Sequence, residues 1–355
     1  MTSGKDKSNR YFMTSLTRIT DLANGKFDVE RIGRIDWGHG DYIAARVTGQ
    51  PSELYKIEIR SGRMVDVMEG DIIIGALGRR EATLEGVGSW EAVGDDGHMH
   101  ALTGAGLLGK ATSTSLLIPR LMALEYEGHV MRDSKALAMR DFIQPVEDRK
   151  FDTPVVLMVG TSMSAGKTTA GRVIIHELRN AGLRVVGTKF TGAGRYRDTL
   201  SFGDAGAEVV LDFVDAGLPS TVVPRKRFKE AMRYMLSRIA AVEPDVVVAE
   251  AGASPMEPYN GDIAIDALGK HVRFVVLCAS DPYSVVGVQT AFGLRPDVIT
   301  GPATNTTAGV QLAENLTQLP ALNLIDPSTL PRLRELLKTA LPNSYGSSYL
   351  KHRFA

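Results

Sequence analysis

Val155–Thr169 reads VVLMVGTSMSAGKTT, an apolar strand-type run followed at once by a glycine-bearing turn, a lysine and two hydroxyls. Residues 155–159 suit a strand covered on both faces, and Ala170–Leu178 continues with apolar residues at helical spacing. The turn lets the backbone N–H groups of Ser164–Lys167 converge on one anion at a helix N-terminus. Lys167 adds a mobile cation, and Thr168 places a hydroxyl where a magnesium ion would take it. Gly160, Thr161, Ser164, Ala165, Gly166, Lys167, Thr168 and Thr169 are therefore the expected phosphate-binding residues.

The rest of the chain fits around that stretch. A length of 355 residues with 44% apolar content describes two globular domains. Lys+Arg and Asp+Glu both number 41, so no net field favours nucleic acid or an anionic membrane. The single cysteine, Cys278, cannot form an internal disulfide and suits a reducing cytoplasm. The polar opening lacks an export-type apolar core, and no apolar run reaches the ~20 residues of a membrane span.

Residues 1–10 are expected to be a disordered tail, and 343–355 a C-terminal tail. Residues 11–143 alternate short strand-like pieces with Gly, Asp and Ser turns, which predicts a mostly antiparallel barrel or sandwich. Its expected pieces are a short helix over Tyr11–Asn24, strands at Arg31–Asp36, Tyr42–Gly49, Tyr55–Val67, Asp71–Gly78 and Arg120–Met131, and a short helix over Lys135–Phe142. A polar, proline-bearing linker spans 144–154. From 155 to 342 the rhythm becomes strand and helix in alternation. Strands are expected at VVLMVG, LRVVGTKF, STVVP, DVVVAEA, RFVVLCAS, PDVITGP and PALNLID. These lack polar alternation, so the expected fold class is α/β, a mostly parallel doubly wound sheet with ligands at the strands' C-terminal ends.

Gly104–Lys110, GAGLLGK, also has phosphate-loop spacing, and has it better than Gly160–Lys167, where five residues rather than four separate the glycines. Its context argues against it. No hydrophobic strand precedes it, Ala111 stands where a metal-binding hydroxyl belongs, and ATSTS follows in place of an amphipathic helix. His98 and His100 form a His-x-His pair without a suitably spaced third ligand, so strand alternation explains them better than a metal does.

The five-residue gap makes GTSMSAGKT resemble the GTDxxxGKT loop of the dethiobiotin synthetases. LRVVGTKFTG is similar to that family's KPVxTG strand end and aligns Lys189. DVVVAEAGAS is similar to its VEGAGG segment and aligns Glu250, VITGPATN places Asn305 where the family reads a purine base, and PALNLID resembles the PVLG strand. The similarity covers roughly residues 155–327. A second resemblance is to the P-loop family, catalogued as a domain of unknown function, that includes D-glutamate N-acetyltransferase. Its EGQGSLxHPxY segment is similar to Glu250, Ser254, Pro258 and Tyr259 here, and its DAxxxDFVAG segment to Asp204–Gly217.

These resemblances imply a P-loop NTPase domain that binds ATP and Mg2+, behind a small mostly-β N-terminal domain. Lys167, Lys189 and Glu250 would be catalytic, Thr168, Asp204 and Glu250 would hold the metal, and Asn305 would contact the base. Asp198 is the alternative to Asp204. Arg195, Arg197, Ser254 and Tyr259, with Glu257 and Asn260 in the same loop, would face a small-molecule substrate. Phosphoryl transfer to a small carboxylate or amine, of the ligase or kinase type, is the expected reaction. The alternatives are N-acyl transfer to an amino acid with coenzyme A phosphates in the loop, and a nucleotide-driven switch or metallochaperone whose N-terminal domain docks a protein. Both relatives imply a homodimer or higher homo-oligomer. No Asn/Thr-Lys-x-Asp run follows a strand, which favours adenine over guanine.

Overall fold

The computed structural model describes residues 11–49, 56–252, 254–342 and 344. The chain divides into two compact units, one of residues 1–80, 85–143 and 194–196, the other of 81–84, 144–193 and 197–355.

The first unit contains a closed five-stranded barrel built from β1 (Tyr42–Val47), β2 (Ile72–Leu77), β3 (His98–Ala101), β4 (Leu107–Thr114) and β5 (Ala123–Arg132). The hydrogen-bonded order β2-β1-β5-β3-β4 returns from β4 to β2, so these strands have no free edge. Four of the junctions are antiparallel, and the closing pair, Leu107–Leu108 on Ala76–Leu77, is parallel. Ile43, Ala45 and Val47 alternate into a core that also holds Ile73, Leu77, Met99, Ala101, Leu108 and Leu124. Burial of each large apolar side chain contributes about 1.5–3 kcal/mol.

Four expected elements of this unit take other forms, one being the Tyr55–Val67 strand, which is instead a hairpin pairing Ile57–Glu58 with Met64–Val65. Tyr11–Asn24 is not a helix: Tyr11–Met13 pairs in parallel with β2, and a single 3-10 turn follows at Ser15–Thr17. The Thr14 and Thr17 hydroxyls donate to the carbonyls of Ile74 and Thr14, local bonds that compete with a helix. Arg31–Asp36 holds a 3-10 turn at Arg34–Asp36 instead of a strand. Lys135–Phe142 starts as a two-residue strand on β5, because Asp133 and Ser134 both adopt positive φ and form a tight hairpin turn. A 3-10 turn, Met139–Phe142, completes it. The tails at 1–10 and 345–355 lie outside the described residues, as does Tyr55.

The second unit is a doubly wound α/β sheet of the P-loop type. Its strands are β6 (Val155–Gly160), β7 (Val185–Thr191), β8 (Val209–Asp212), β9 (Val246–Ala251), β10 (Val272–Cys278) and β11 (Val298–Thr300). All pair in parallel in the order β8-β7-β9-β6-β10-β11. The helices are α1 (Lys167–Asn180), α2 (Tyr196–Asp204), α3 (Arg225–Val242), α4 (Gly261–Leu268), α5 (Pro282–Phe292), α6 (Thr307–Thr317) and α7 (Leu330–Ala340). β6, β7 and β9 are buried along their whole length, as their unbroken valine-rich sequences require. Ile174, Ile175 and Leu178 of α1 pack with Met158, Val248 and Phe202 in one core.

Two expected strands are absent. Ser220–Pro224 bonds to the turn after β7, where Thr221 N–H donates to the Gly192 carbonyl and Thr221 Oγ1 accepts from Gly192 N–H, and Val209–Asp212 forms the sheet edge. Pro320–Asp326 makes only one bridge, Ala321 to Ile299. Among the described residues, no helix is long and apolar enough to cross a membrane.

Candidate functional site

The sheet order determines which residues meet. β6 lies between β9 and β10, so the loop leaving Gly160 emerges beside the ends of both. Glu250 is in register with Met158 on one side and with Lys189 on the other, and Lys189 is in register with Asp212. Four residues distant in sequence are thereby brought to one end of the sheet.

The loop runs directly into α1, whose first turn carries no acidic residue. The positive end of the helix is therefore not neutralised from within the helix. Thr161 N–H donates to the Cys278 carbonyl at 3.0 Å, and its hydroxyl lies 3.1 Å from Ser280 Oγ. Lys167 is buried, with its ammonium 2.6 Å from the Ser162 carbonyl and 3.4 Å from that of Met163. Gly160 makes room for this, since a Cβ there would lie 2.6 Å from Lys167 Nζ. Burial lowers the pKa of Lys167, with the Glu250 carboxylate opposing. Burial also pushes the Cys278 thiol up to about 12, leaving it an inert core residue at neutral pH.

Thr168 Oγ1 donates to Glu250 Oε2 at 3.1 Å. The Lys189 ammonium lies 2.6 Å from Asp198 Oδ2 and 4.0 Å from Glu250 Oε1, all three side chains being largely buried. Burial alone would discharge Lys189, but the carboxylates of Asp198 and Glu250 outweigh it and hold its pKa above the usual lysine range. Burial raises the Glu250 pKa against the pull of Lys189 and Lys167. A phosphate-loop cation, a hydroxyl, a buried carboxylate and a second, ion-paired cation thus form one constellation.

Gly192 and Gly252 leave room for the Lys189 side chain. A Cβ at Gly252 would overlap the Thr191 carbonyl oxygen and stand 2.9 Å from Lys189 Cε. Gly252→Ala is expected to cost about 1–3 kcal/mol of overpacking, to be measured as a lower denaturation midpoint at unchanged m-value. A variant as stable as the parent would show that the strand end tolerates a Cβ.

The remaining expected residues are placed as follows. Asp204 ends α2 and is exposed, six residues and ~9 Å of helix beyond Asp198, so Asp198 and not Asp204 joins the Lys189 and Glu250 cluster. Tyr259 is wholly buried in the second unit, and its hydroxyl is already engaged within the fold, accepting from Glu81 N–H at 2.9 Å. Asn260 is structural as well, donating from Nδ2 to the carbonyls of Thr221 and Val223. Ser254 is half-buried and donates its N–H to Glu257 Oε2. Arg195 and Arg197 are exposed. Asn305 is exposed one residue beyond a 3-10 turn that follows β11. That turn touches the phosphate loop, for Gly301 lies against the Ala165 carbonyl with no room for a Cβ.

Asp212 was not expected. It is buried at the end of β8 and accepts from Thr199 Oγ1 at 3.0 Å and from Val214 N–H at 2.8 Å. Its charge also favours the protonated form of Lys189. The signal lay in the Asp-Phe-Val of residues 212–214, the best-matched part of the Asp204–Gly217 resemblance. The loop-like Gly104–Lys110 proves to lie partly on β4, with Lys110 Nζ 3.8 Å from Asp96, which excludes it as a phosphate loop. His100 Nδ1 accepts from Ala111 N–H, a barrel contact, and no group of three or more metal-ligating side chains occurs among the described residues.

No family model matches the chain, and none of the curated proteins compared with it matches. Among solved structures it is similar to chloroplast FtsY from Physcomitrella patens, at 14% identity and a TM-score of 0.35 over 50% of this chain and 59% of that one. It is similar to a DUF1611 family protein from Anabaena variabilis at 16% identity and 0.35, over 56% and 61%. A ParA family ATPase from Chlorobium tepidum matches at 13% identity and 0.31, over 55% and 97%. The matches thus span about three-fifths of the first two proteins. At these scores the fold rests on the sheet order and loop geometry described above.

Proposed function

We propose that this protein is a magnesium-dependent ATP-binding enzyme that activates a small carboxylate or amine by phosphoryl transfer. The observation that carries the reading is the hydrogen bond from Thr168 to Glu250 at the foot of the loop that holds Lys167. A hydroxyl and a carboxylate side by side are the hard oxygen donors magnesium prefers, and the glycine-relieved loop at the bare N-terminus of α1 suits phosphate oxygens. The residues present therefore fit both groups.

Bound ATP with magnesium would supply the transferable phosphoryl group and neutralise part of its charge. The chain's own residues do the rest. Lys167, now satisfied by loop carbonyls, exchanges them for phosphate oxygens. Lys189 directs a fixed positive charge toward the end of the loop, and Asp198 holds its amine in place. Glu250 orients Thr168, and Asn305 contacts the base. Arg195, Arg197 and Ser254 contact the substrate, and the enzyme works as a homodimer on a small molecule, without nucleic acid or membrane.

Thermal-shift screening of ATP, GTP and coenzyme A, with and without magnesium, tests this. ATP with magnesium at 100 times its Kd is expected to stabilise the protein by about 2.7 kcal/mol, more than GTP, and to form ADP only with an acceptor present. Stabilisation by coenzyme A alone, without ADP formation, would replace this reading with acyl transfer. No stabilisation by any of the three would end it.

A further inference from the structure

Among the described helices of the second unit, α5 (Pro282–Phe292, PYSVVGVQTAF) alone carries no charged side chain. A helix apolar on every side is normally covered on every side. Val285 and Val288 are buried, but Tyr283, Val286, Gly287, Thr290 and Ala291 are exposed, and their spacing of three and four puts them on one stripe. Tyr283 leaves 67% of its surface in solvent and Val286 37%. Gly287, at the midpoint of the helix, is a separate observation. Glycine is the least favourable residue but proline in a helix interior, and close packing is its usual reason. Here an added Cβ would meet nothing within 4 Å, so the single chain supplies no such reason. Charge stands only at the two ends. Asp281 caps α5 by accepting from the N–H groups of Tyr283 and Ser284, and Arg295 follows Gly293, whose left-handed φ of 71° ends the helix. Both are exposed, and among the described residues neither forms an ion pair.

We infer that α5 is the contact between two copies of this chain, crossing its twin antiparallel about a twofold axis at Gly287. A twofold contact has to be self-complementary, and this face is. Antiparallel pairing sets Tyr283 opposite the partner's Ala291, a large ring against a small side chain, and Asp281 beside the partner's Arg295. The symmetry repeats both, so an ion pair closes each end of the apolar stripe, and the missing Cβ at the midpoint lets the two backbones approach. A foreign partner would not call for this inversion of size and charge about the centre of one helix. A contact built on 11 residues is small, which places the dimer in the weak, concentration-dependent class. It also reaches the rim of the phosphate loop, because Asp281 adjoins Ser280, whose N–H donates to Thr161 Oγ1 at 3.1 Å. The inference rests on the homodimer of the proposed reading, to which it gives an interface, and not on the nucleotide chemistry.

Sedimentation equilibrium of the full chain from micromolar to millimolar concentration tests it, with Gly287→Lys and Arg295→Asp beside the parent. The parent is expected to dimerise as concentration rises. Each variant should weaken the dimer at least tenfold at unchanged circular dichroism, because both positions are exposed and each change acts twice across the axis. Gly287→Cys gives a second readout. The native cysteine, Cys278, is buried, and a residue on the axis meets its own copy, so mild oxidation should trap a disulfide dimer where Thr339→Cys, exposed on α7, yields none. A parent that stays monomeric throughout would overturn the inference together with the proposed homodimer. A dimer that neither variant weakens and that Gly287→Cys does not trap would overturn this interface alone.

Discussion

Lys167→Ala is expected to lose about 10²–10³-fold in turnover, the usual consequence of removing one preorganised donor from a site where charge is transferred. The folded protein should not suffer with it. Lys167 is buried against carbonyls, and burial lowers its pKa. A lowered pKa marks a group whose folded state prefers the neutral form, so its contribution is present above the ordinary lysine pKa and is lost as pH falls through the folded value. Holding the ammonium charged in the unliganded protein is thus a cost that a bound anion offsets. Alanine removes that cost, and the unliganded variant should melt at or above the parent temperature while losing its nucleotide-induced shift. A variant that melts lower and still shows the shift would place Lys167 in the structural core and outside the phosphate site.

Lys189→Met should show the opposite pattern. Removing one partner of a buried ion pair leaves its counter-charges without compensation, at a cost of about 3–5 kcal/mol. Asp198 and Glu250 would both be stranded. The pH dependence identifies the cause. In the parent, the pKa of Lys189 is raised on folding, so its contribution is fully present below the ordinary lysine pKa and fades only as pH rises through the higher folded value. The variant lacks that term, and Glu250, whose pKa burial already raises, is pushed further toward its protonated form without Lys189. Its deficit should therefore be largest near neutrality and shrink as the solution is made acidic, read as unfolding free energy from pH 8 to pH 5. A deficit independent of pH would mean that methionine fails by shape and not by charge.

Much of this site was legible in the sequence because its residues stand at the ends of strands with unmistakable composition. Val155–Gly160, Val185–Thr191 and Val246–Ala251 are runs that only a doubly covered parallel sheet would use. Once those strands are placed, Lys189 and Glu250 follow as the charged groups near the C-terminal ends of two of them, and Lys167 as the lysine that closes the loop after the third. Where sequence reasoning failed, lateral position decided. Asp198 and Asp204 are equivalent in a linear reading, and only the direction of α2 brings the first to Lys189 and leaves the second in solvent. Tyr259 and Asn260 look like substrate contacts because polar loop residues often are, but the Tyr259 hydroxyl accepts from Glu81 N–H and the Asn260 amide serves Thr221 and Val223. In the N-terminal unit, alternation revealed strands but could not reveal that β2 and β4 close the barrel in parallel, a pairing that local pattern does not encode. Short elements misled for a related reason, since Asp133 and Ser134 turn the chain so that Lys135–Ala136 pairs back on β5 where a short helix was expected to begin.

The seat of Gly301 against the Ala165 carbonyl bears on how such a protein changes over evolution. The segment leading to Asn305 and the loop bearing Lys167 are in backbone contact there, where not even a methyl group fits. With the roles proposed for Asn305 and Lys167, selectivity at one end of a ligand and affinity at the other would not be separate properties to be tuned independently. A substitution that reshapes residues 301–305 also moves the Ala165 carbonyl, so changes of preferred ligand should arise in paired steps, the second restoring a loop that the first displaced.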